Sequence, residues 1–348
     1  SGPHPIRPLY TPTDVETAGR LFQPVPYGRP VPLSDDVTVT YHDGGHILGS
    51  AMLEIVVRRN GDTRTIVFSG DIGEWNKPII RDPSVFERAD YVVMETTYGN
   101  RDHREAGPVE EQLAEVINAA VRRGGNLVIP TFAIERAQEL MFYIGGLLRE
   151  DRIPHLLVFL DSPMAVNVTE VFLRHRECMD EETIAMLQSG RAPCEFPGLK
   201  MVQTVAESKA INRIKGSCIV MAGAGMCNAG RIKHHLVNNI DSVRNTVLFV
   251  GYQAVGTLGR QILDGRKTVR IHGANRRVRA RIAQIHGLSA HADQGSLLRW
   301  LGGLRQPPRC VFLAHGEEDA STTFGKLIHE KWGWKTHVPE YREEVELD

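Results

Sequence analysis

The chain has 348 residues, 42% of them hydrophobic and 24% charged, and its formal net charge is −1. These are globular values that suit two compact domains or one large one, and they exclude a disordered or fibrous chain. The whole-chain charge argues neither for nor against a polyanionic partner. The five cysteines, Cys178, Cys194, Cys218, Cys227 and Cys310, are scattered without a Cys-x-x-Cys pair, as in a reduced, cytoplasmic protein. The sequence has no apolar run of membrane length and no signal peptide, so no membrane partner is expected.

Residues 1–30 are rich in proline and glycine, and one short helix is expected near 13–21. Strands follow at about 37–41, 51–58, 64–69 and 90–95, from alternating and β-branched runs. After Asn100 helices and strands alternate. Helices are expected at 109–122, 135–149, 165–174, 207–214, 231–240 and 257–263, and strands at 126–129, 156–160, 218–222 and 246–250. That alternation means a parallel sheet with helices on both faces. Residues 270–285 are strand-like, and helix 293–304, strand 309–314 and helix 320–332 close the chain.

Polar residues stand at several strand ends. Gly44-Gly45 breaks the first strand and leaves His46 in a turn, and the run Thr65–Phe68 stops at Ser69-Gly70-Asp71. Glu95, Asp161 and His315 each end an apolar run, and His291 lies between a strand and a helix. Open α/β sheets place their chemistry just past the carboxyl ends of strands. Taken singly, such residues are more often hydrogen-bonded turn residues. As a set, imidazoles plus carboxylates without thiolates are the ligands of a hydrolytic zinc site, and a carboxylate such as Asp71 can bridge two metals.

Anion-binding features accompany them. Ala222-Gly223-Ala224-Gly225-Met226 leads through Arg231 into a helix, an arrangement that presents backbone N–H groups to phosphate, although glycine after a strand is usually plain turn chemistry. Arg136 sits in a first helical turn, where a cation opposes the helix dipole and needs a structural partner or an anion. Arg276, Arg277, Arg279 and Arg281 read as a basic strand with all but Arg276 on one face, either solvated or a polyphosphate track.

At these residues the sequence resembles a known family. His-Asp-Gly-Gly-His-Ile-Leu-Gly-Ser-Ala (42–51), Phe-Ser-Gly-Asp-Ile-Gly (68–73), Glu-Thr-Thr-Tyr-Gly-Asn-Arg (95–101), Pro-Thr-Phe-Ala-Ile-Glu-Arg (130–136), Leu-Asp-Ser-Pro-Met-Ala (160–165), Ser-Ala-His-Ala-Asp (289–293) and Leu-Ala-His-Gly-Glu (313–317) are similar, in order, to the β-CASP branch of the metallo-β-lactamase superfamily, RNA-processing nucleases related to the cleavage and polyadenylation endonuclease. The resemblance implies an α/β fold: an αββα core in segments 1–100 and 287–348, with a β-CASP domain of parallel sheet flanked by helices inserted at 101–286. It implies His46 as a ligand of one zinc ion, His315 as a ligand of the other, and Asp71 as the bridging carboxylate. Glu95 matches the residue that orients His291, itself a proposed general acid, and Ser289 a phosphate-contacting position. Arg136, Ser162, Gly225, Arg231 and Ser289 form the candidate RNA- and phosphate-binding set. The implied reaction is metal-hydroxide attack on single-stranded RNA in the cleft between the domains, as an endonuclease, a 5′ exonuclease or both.

One departure stands out. The family's His-x-His-x-Asp-His motif is absent, and His4, His103, His155, His175, His272, His329 and His337 are isolated in sequence. Two zinc ions per complete enzyme would keep only two protein ligands each, fewer than the three usual for catalytic zinc, so binding in this chain is expected to be weak or absent. The expectation is a truncated, catalytically incomplete form of a complete enzyme. The alternatives are a second chain that supplies the segment, and a non-catalytic RNA-binding or scaffold homologue. A small-molecule hydrolase is disfavoured by the large insertion. A core lacking its first half would bare apolar strands within 37–58, so a homo-oligomer is expected.

Overall fold

The structure is a computed structural model that describes residues 8–103 and 107–348. The beginning of the proline-rich lead-in, with His4, and residues 104–106 lie outside the described residues.

Helix α1 (Pro12–Gly19) opens on a capping box in which Thr11 and Asp14 satisfy each other's backbone N–H. Strands β1 (Val31–Pro32), β2 (Val37–Asp43), β3 (Ala51–Arg59), β4 (Asp62–Phe68) and β5 (Tyr91–Glu95) follow. Next come α2 (Val109–Arg122), β6 (Leu127–Pro130), α3 (Arg136–Arg149), β7 (Leu157–Leu160), α4 (Pro163–Arg174), α5 (Glu181–Gln188), β8 (Leu199–Met201) and α6 (Val205–Ile211). They are succeeded by β9 (Cys218–Ala222), α7 (Ile232–Asn239), β10 (Thr246–Phe249), α8 (Leu258–Leu263), β11 (Thr268–Ile271), β12 (Ala274–Arg277) and β13 (Arg281–Gln284). The chain closes with α9 (Gln294–Leu301), β14 (Cys310–Ala314), α10 (Glu318–Trp332) and β15 (Thr336–His337). Among the described residues no helix is long and apolar enough to cross a membrane, and the five cysteines are free.

Two sheets organise these elements. The first has the order β1-β2-β3-β4-β5-β14-β15, antiparallel from β1 to β4 and parallel from β4 onward. Strands β5 and β14 are neighbours although more than two hundred residues separate them, because the intervening chain builds the second sheet. That sheet, β13-β10-β6-β9-β7-β8, is parallel throughout. Strands β6, β9 and β10 are buried along their whole length, as both faces of a parallel sheet must be. Along β6, Leu127 and Ile129 join one apolar core while Val128 joins the other, so successive residues serve opposite layers.

Two expectations are corrected, and four elements were not foreseen. Strand pairings of two or three residues, β1, β8 and β15, show no hydrophobic period and escape sequence reading, as does α5, whose start is fixed by the Asp180 side chain accepting from Thr183 N–H at 2.6 Å. Residues 270–285 are not one strand: left-handed backbone at His272 and Gly273 turns β11 into β12, and β13 then pairs with β10. Arg276 and Arg277 therefore lie on β12 and Arg281 on β13, with Arg279 between them, so no single strand face carries Arg277, Arg279 and Arg281 together.

Candidate metal centre

Strands β4, β5 and β14 run parallel and side by side, so their carboxyl ends lie on one edge of the sheet. Phe68 pairs with Val93 and Ala314 with Glu95, which brings the residues just beyond β4 and β14 to the level of Glu95. The β2–β3 turn points to the same edge, because β3 runs antiparallel to β4 with Leu53 opposite Phe68. Register alone thus delivers His46, Asp71, Glu95 and His315 to one place. The His46 turn is braced by Ser50 Oγ, which accepts from the N–H groups of His46 at 3.1 Å and Ile47 at 3.3 Å. The segment after Asp71 packs backbone to backbone on that turn. A Cβ on Gly73 would stand 1.8 Å from the Gly45 carbonyl oxygen, so only glycine fits.

Asp71 sits between two imidazoles. His46 Nε2 is 3.7 Å from its Oδ2 and His315 Nδ1 is 3.4 Å from its Oδ1. His291 closes the cluster, with its ring centroid 4.4 Å from that of His46 and 5.9 Å from that of His315. A β-bridge between Gly73 and His291 and a hydrogen bond from Ala292 N–H to the Ile72 carbonyl hold its loop. Buried Glu95 places both carboxylate oxygens 3.1 Å from His291 Nδ1 and accepts from Ile72 N–H at 2.5 Å. Burial by itself would lower the His291 pKa, but the hydrogen bond and charge of Glu95 outweigh it and raise it. His46 moves the other way, because burial and the nearby His291 lower its pKa. Its Nδ1 is buried against the Ala290 carbonyl without reaching a well-formed hydrogen bond.

The donor set fits zinc. Ligand atoms bonded to one tetrahedral zinc ion at 2.0–2.2 Å stand about 3.4 Å apart, close to both imidazole–Asp71 separations. Each oxygen of Asp71 faces a different imidazole, as a bridging carboxylate does. Among the described residues, the group of three metal-type donors that come within 4.8 Å of one another is His46, Asp71 and His291, with His315 adjoining it.

The residues expected to bind phosphate lie elsewhere and mostly have partners. Arg136 is buried and paired with Glu139 at 2.9 Å. Arg231 donates to Asp161 Oδ1 at 2.5 Å and to the carbonyls of Val202 and Gln203. Asp161 ends β7 in a separate buried network with Arg231, His235 and Ser208, so it does not join the metal-type cluster as its place at a strand end suggested. Ser162 caps α4 by accepting from Ala165 N–H at 3.3 Å. Gly225 is packed under the Phe132 ring, which a Cβ would meet at 2.8 Å. At the start of α7 the Ile232 N–H is taken by the Gly223 carbonyl at 3.0 Å, and within the turn Ala224 N–H donates to the Ala229 carbonyl at 3.2 Å. Ser289 does lie beside the cluster, on a cleft of about 500 Å³ between the two sheets, also lined by Tyr98, Arg101, His103 and Tyr252.

Sequence reasoning missed three residues here. His103, isolated in sequence, approaches the His291 carbonyl with Nε2 at 3.0 Å and packs edge-on against Tyr98. Glu74 accepts from Asp293 N–H at 3.1 Å, bonds Ser296 Oγ and stands 3.7 Å from His103 Nε2. Glu135 reaches the His46 turn from the second sheet by accepting from Leu48 N–H at 3.2 Å. The one available signal was position, since Glu74 follows Asp71 by three residues and His103 follows Glu95 by eight.

Comparison with known proteins adds three findings. The Beta-Casp domain family matches residues 137–262, and the Zn-dependent metallo-hydrolase RNA specificity domain matches residues 275–339. Ribonuclease TTHA0252 of Thermus thermophilus is 39% identical over 323 residues, which is 92% of this chain and 72% of that protein. Transcription termination factor FttA of Methanosarcina mazei is 30% identical over 93% of this chain, and that of Thermococcus kodakarensis 29% over 98%. The chain spans about half the length of these termination factors, 52% and 54%.

Proposed function

The chain belongs to the β-CASP family of metallo-β-lactamase nucleases, zinc-dependent hydrolases of RNA, and from that membership we propose that the full-length protein cleaves phosphodiester bonds of single-stranded RNA in the cleft between the two sheets, at the carboxyl edge of the first. The observation that carries this reading is Asp71 with one oxygen toward His46 and the other toward His315. His46 and Asp71 would hold one ion, and Asp71 and His315 a second. Zinc bound there would supply Lewis-acid charge neutralisation and a water activated at neutral pH.

The chain's own residues do the rest. Burial and the nearby His291 lower the pKa of His46, which favours the neutral imidazole that metal ligation requires. Glu95 engages His291 Nδ1 and fixes the orientation of the ring against those of His46 and His315, which leaves Nε2 as the ring nitrogen without that partner. A proton on that Nε2 can pass to the departing oxygen of the cleaved strand. The cleft at Tyr98, Arg101, His103, Tyr252 and Ser289 receives the RNA, since aromatic faces stack on bases and cations follow the backbone. A second reading has its own support: His291 lies close enough to His46 and Asp71 to be a third zinc ligand instead of an acid.

The test uses the full-length protein, its zinc content and its cleavage of a labelled single-stranded RNA. The expected result is about two zinc ions per chain, with both zinc and cleavage lost in His315→Ala. RNA binding without zinc or cleavage would replace this reading with a scaffold. His291→Ala that keeps its zinc but loses cleavage assigns His291 as the acid, and loss of one zinc assigns it as a ligand.

A further inference from the structure

We propose that Glu135 is a positioning residue that seats the His46 turn from the second sheet, an inference that rests on the reading of His46 as a zinc ligand. Glu135 is the residue before α3, and its backbone has φ 63° and ψ −60°. Arg136 N–H donates across it to the Ile134 carbonyl at 2.8 Å, which makes it the centre of a γ-turn of the strained hand. Glycine would adopt this conformation at little cost, so a carboxylate side chain here calls for a compensating role.

The side chain is 5% exposed and its Oε2 accepts from Leu48 N–H at 3.2 Å, two residues beyond His46. Asp43 and Ser50 brace that turn from within its own hairpin, and Gly73 N–H donates to the Gly44 carbonyl at 2.9 Å from the segment after Asp71, on the first sheet's own edge. Glu135 is therefore a tie to the turn from outside the first sheet. It is not consumed by the charges around it. Arg136 Nη1 and Lys77 Nζ both pair with Glu139, at 2.9 and 3.2 Å, and Lys77 also donates to the Gly287 carbonyl. The first turn of α3 thereby grips the His46 turn through Glu135, and through Lys77 both the segment after Asp71 and the approach to His291. Burial and the neighbouring Glu139 push the Glu135 pKa up to about 8, so at neutral pH a Gln can reproduce its bond to Leu48.

Two variants of the full-length protein test this, Glu135→Gly and Glu135→Gln. Glu135→Gly relieves the backbone, so its Tm should equal or exceed that of the wild type. Even so, hydrogen exchange of the Leu48 amide should speed up about tenfold or more, and zinc affinity in competition with a chelator should fall by about tenfold to a hundredfold. Glu135→Gln should remain within about threefold of wild type in both, as rescue by the conservative variant. Wild-type Leu48 exchange and zinc affinity in Glu135→Gly would overturn the proposal. So would a lower Tm with faster exchange throughout α3, which is the mark of a structural role. If the wild type binds no zinc, the proposed function fails, while exchange at Leu48 still decides this inference.

Discussion

The two sheets solve burial differently. In the second, Leu127–Pro130, Cys218–Ala222 and Thr246–Phe249 are buried at every position, with helices covering both faces. In the first, Met52, Val67, Val92 and Met94 face a core shared with α9 and α10, while the opposite face stays partly open. On that face Leu53 lies opposite Phe68 and Ile55 opposite Ile66; all are half-buried except Phe68, which is 37% exposed. The sheet with continuous packing supplies rigidity, and the sheet with parallel ends on one edge supplies ligands. The lesson is that the ligands stand on one sheet while a side chain of the other holds their loop.

The strongest way to break this division is Asp71→Asn. It should lower RNA cleavage by a factor on the order of 10³ or more, several kcal/mol of barrier, with an unchanged unfolding midpoint. A drop in stability of similar size would show that Asp71 serves the fold instead. Next in size is a comparison of two isoleucines by urea unfolding. Ile219→Ala, inside the second sheet, should cost about 3 kcal/mol. Ile55→Ala, on the half-open face, should cost about 1 kcal/mol. Equal losses would mean that the open face is covered in solution, as the expected oligomer requires.

The pH dependence of stability sharpens the role of the junction. The Glu135 carboxyl is raised from 4.5 to about 8 by burial first and Glu139 second, with the Leu48 hydrogen bond, Arg136 and Lys77 opposing in that order. Between those values the folded chain holds a proton that the unfolded chain has released, so this group's contribution to stability falls as pH rises from about 4.5 to about 8 and levels beyond. Glu135→Gln should flatten that decline in urea midpoints measured across the window; an unchanged slope would place its origin elsewhere. The smallest effect belongs to the arginines that β12 and β13 separate. Where Arg277 or Arg281 neutralises an RNA phosphate, its replacement by alanine should reduce the salt slope of RNA binding by about 0.7. An unchanged slope in Arg277→Ala and Arg281→Ala would leave both as solvated surface.

The sequence alone determined the elements that carry a period and the residues that end them. Alternating and β-branched runs set β2 to β5, continuous apolar runs set β6, β9 and β10, and His46, Asp71, Glu95 and His315 were visible because a strand end is a local feature. The basic run from Arg276 to Arg281 misled because β12 ends at Arg277 and β13 begins at Arg281, so the non-strand residues 278–280 between them break the period on which face assignment depends. Tertiary structure alone decided which strand ends share an edge, since that follows from the pairing of β14 with β5 across the whole second sheet. It also decided that Asp161 serves Arg231 and His235, that His103 supports His291, and that Glu135 holds Leu48. Those are contacts between residues remote in sequence, and nothing in local propensity or spacing encodes a distance in space.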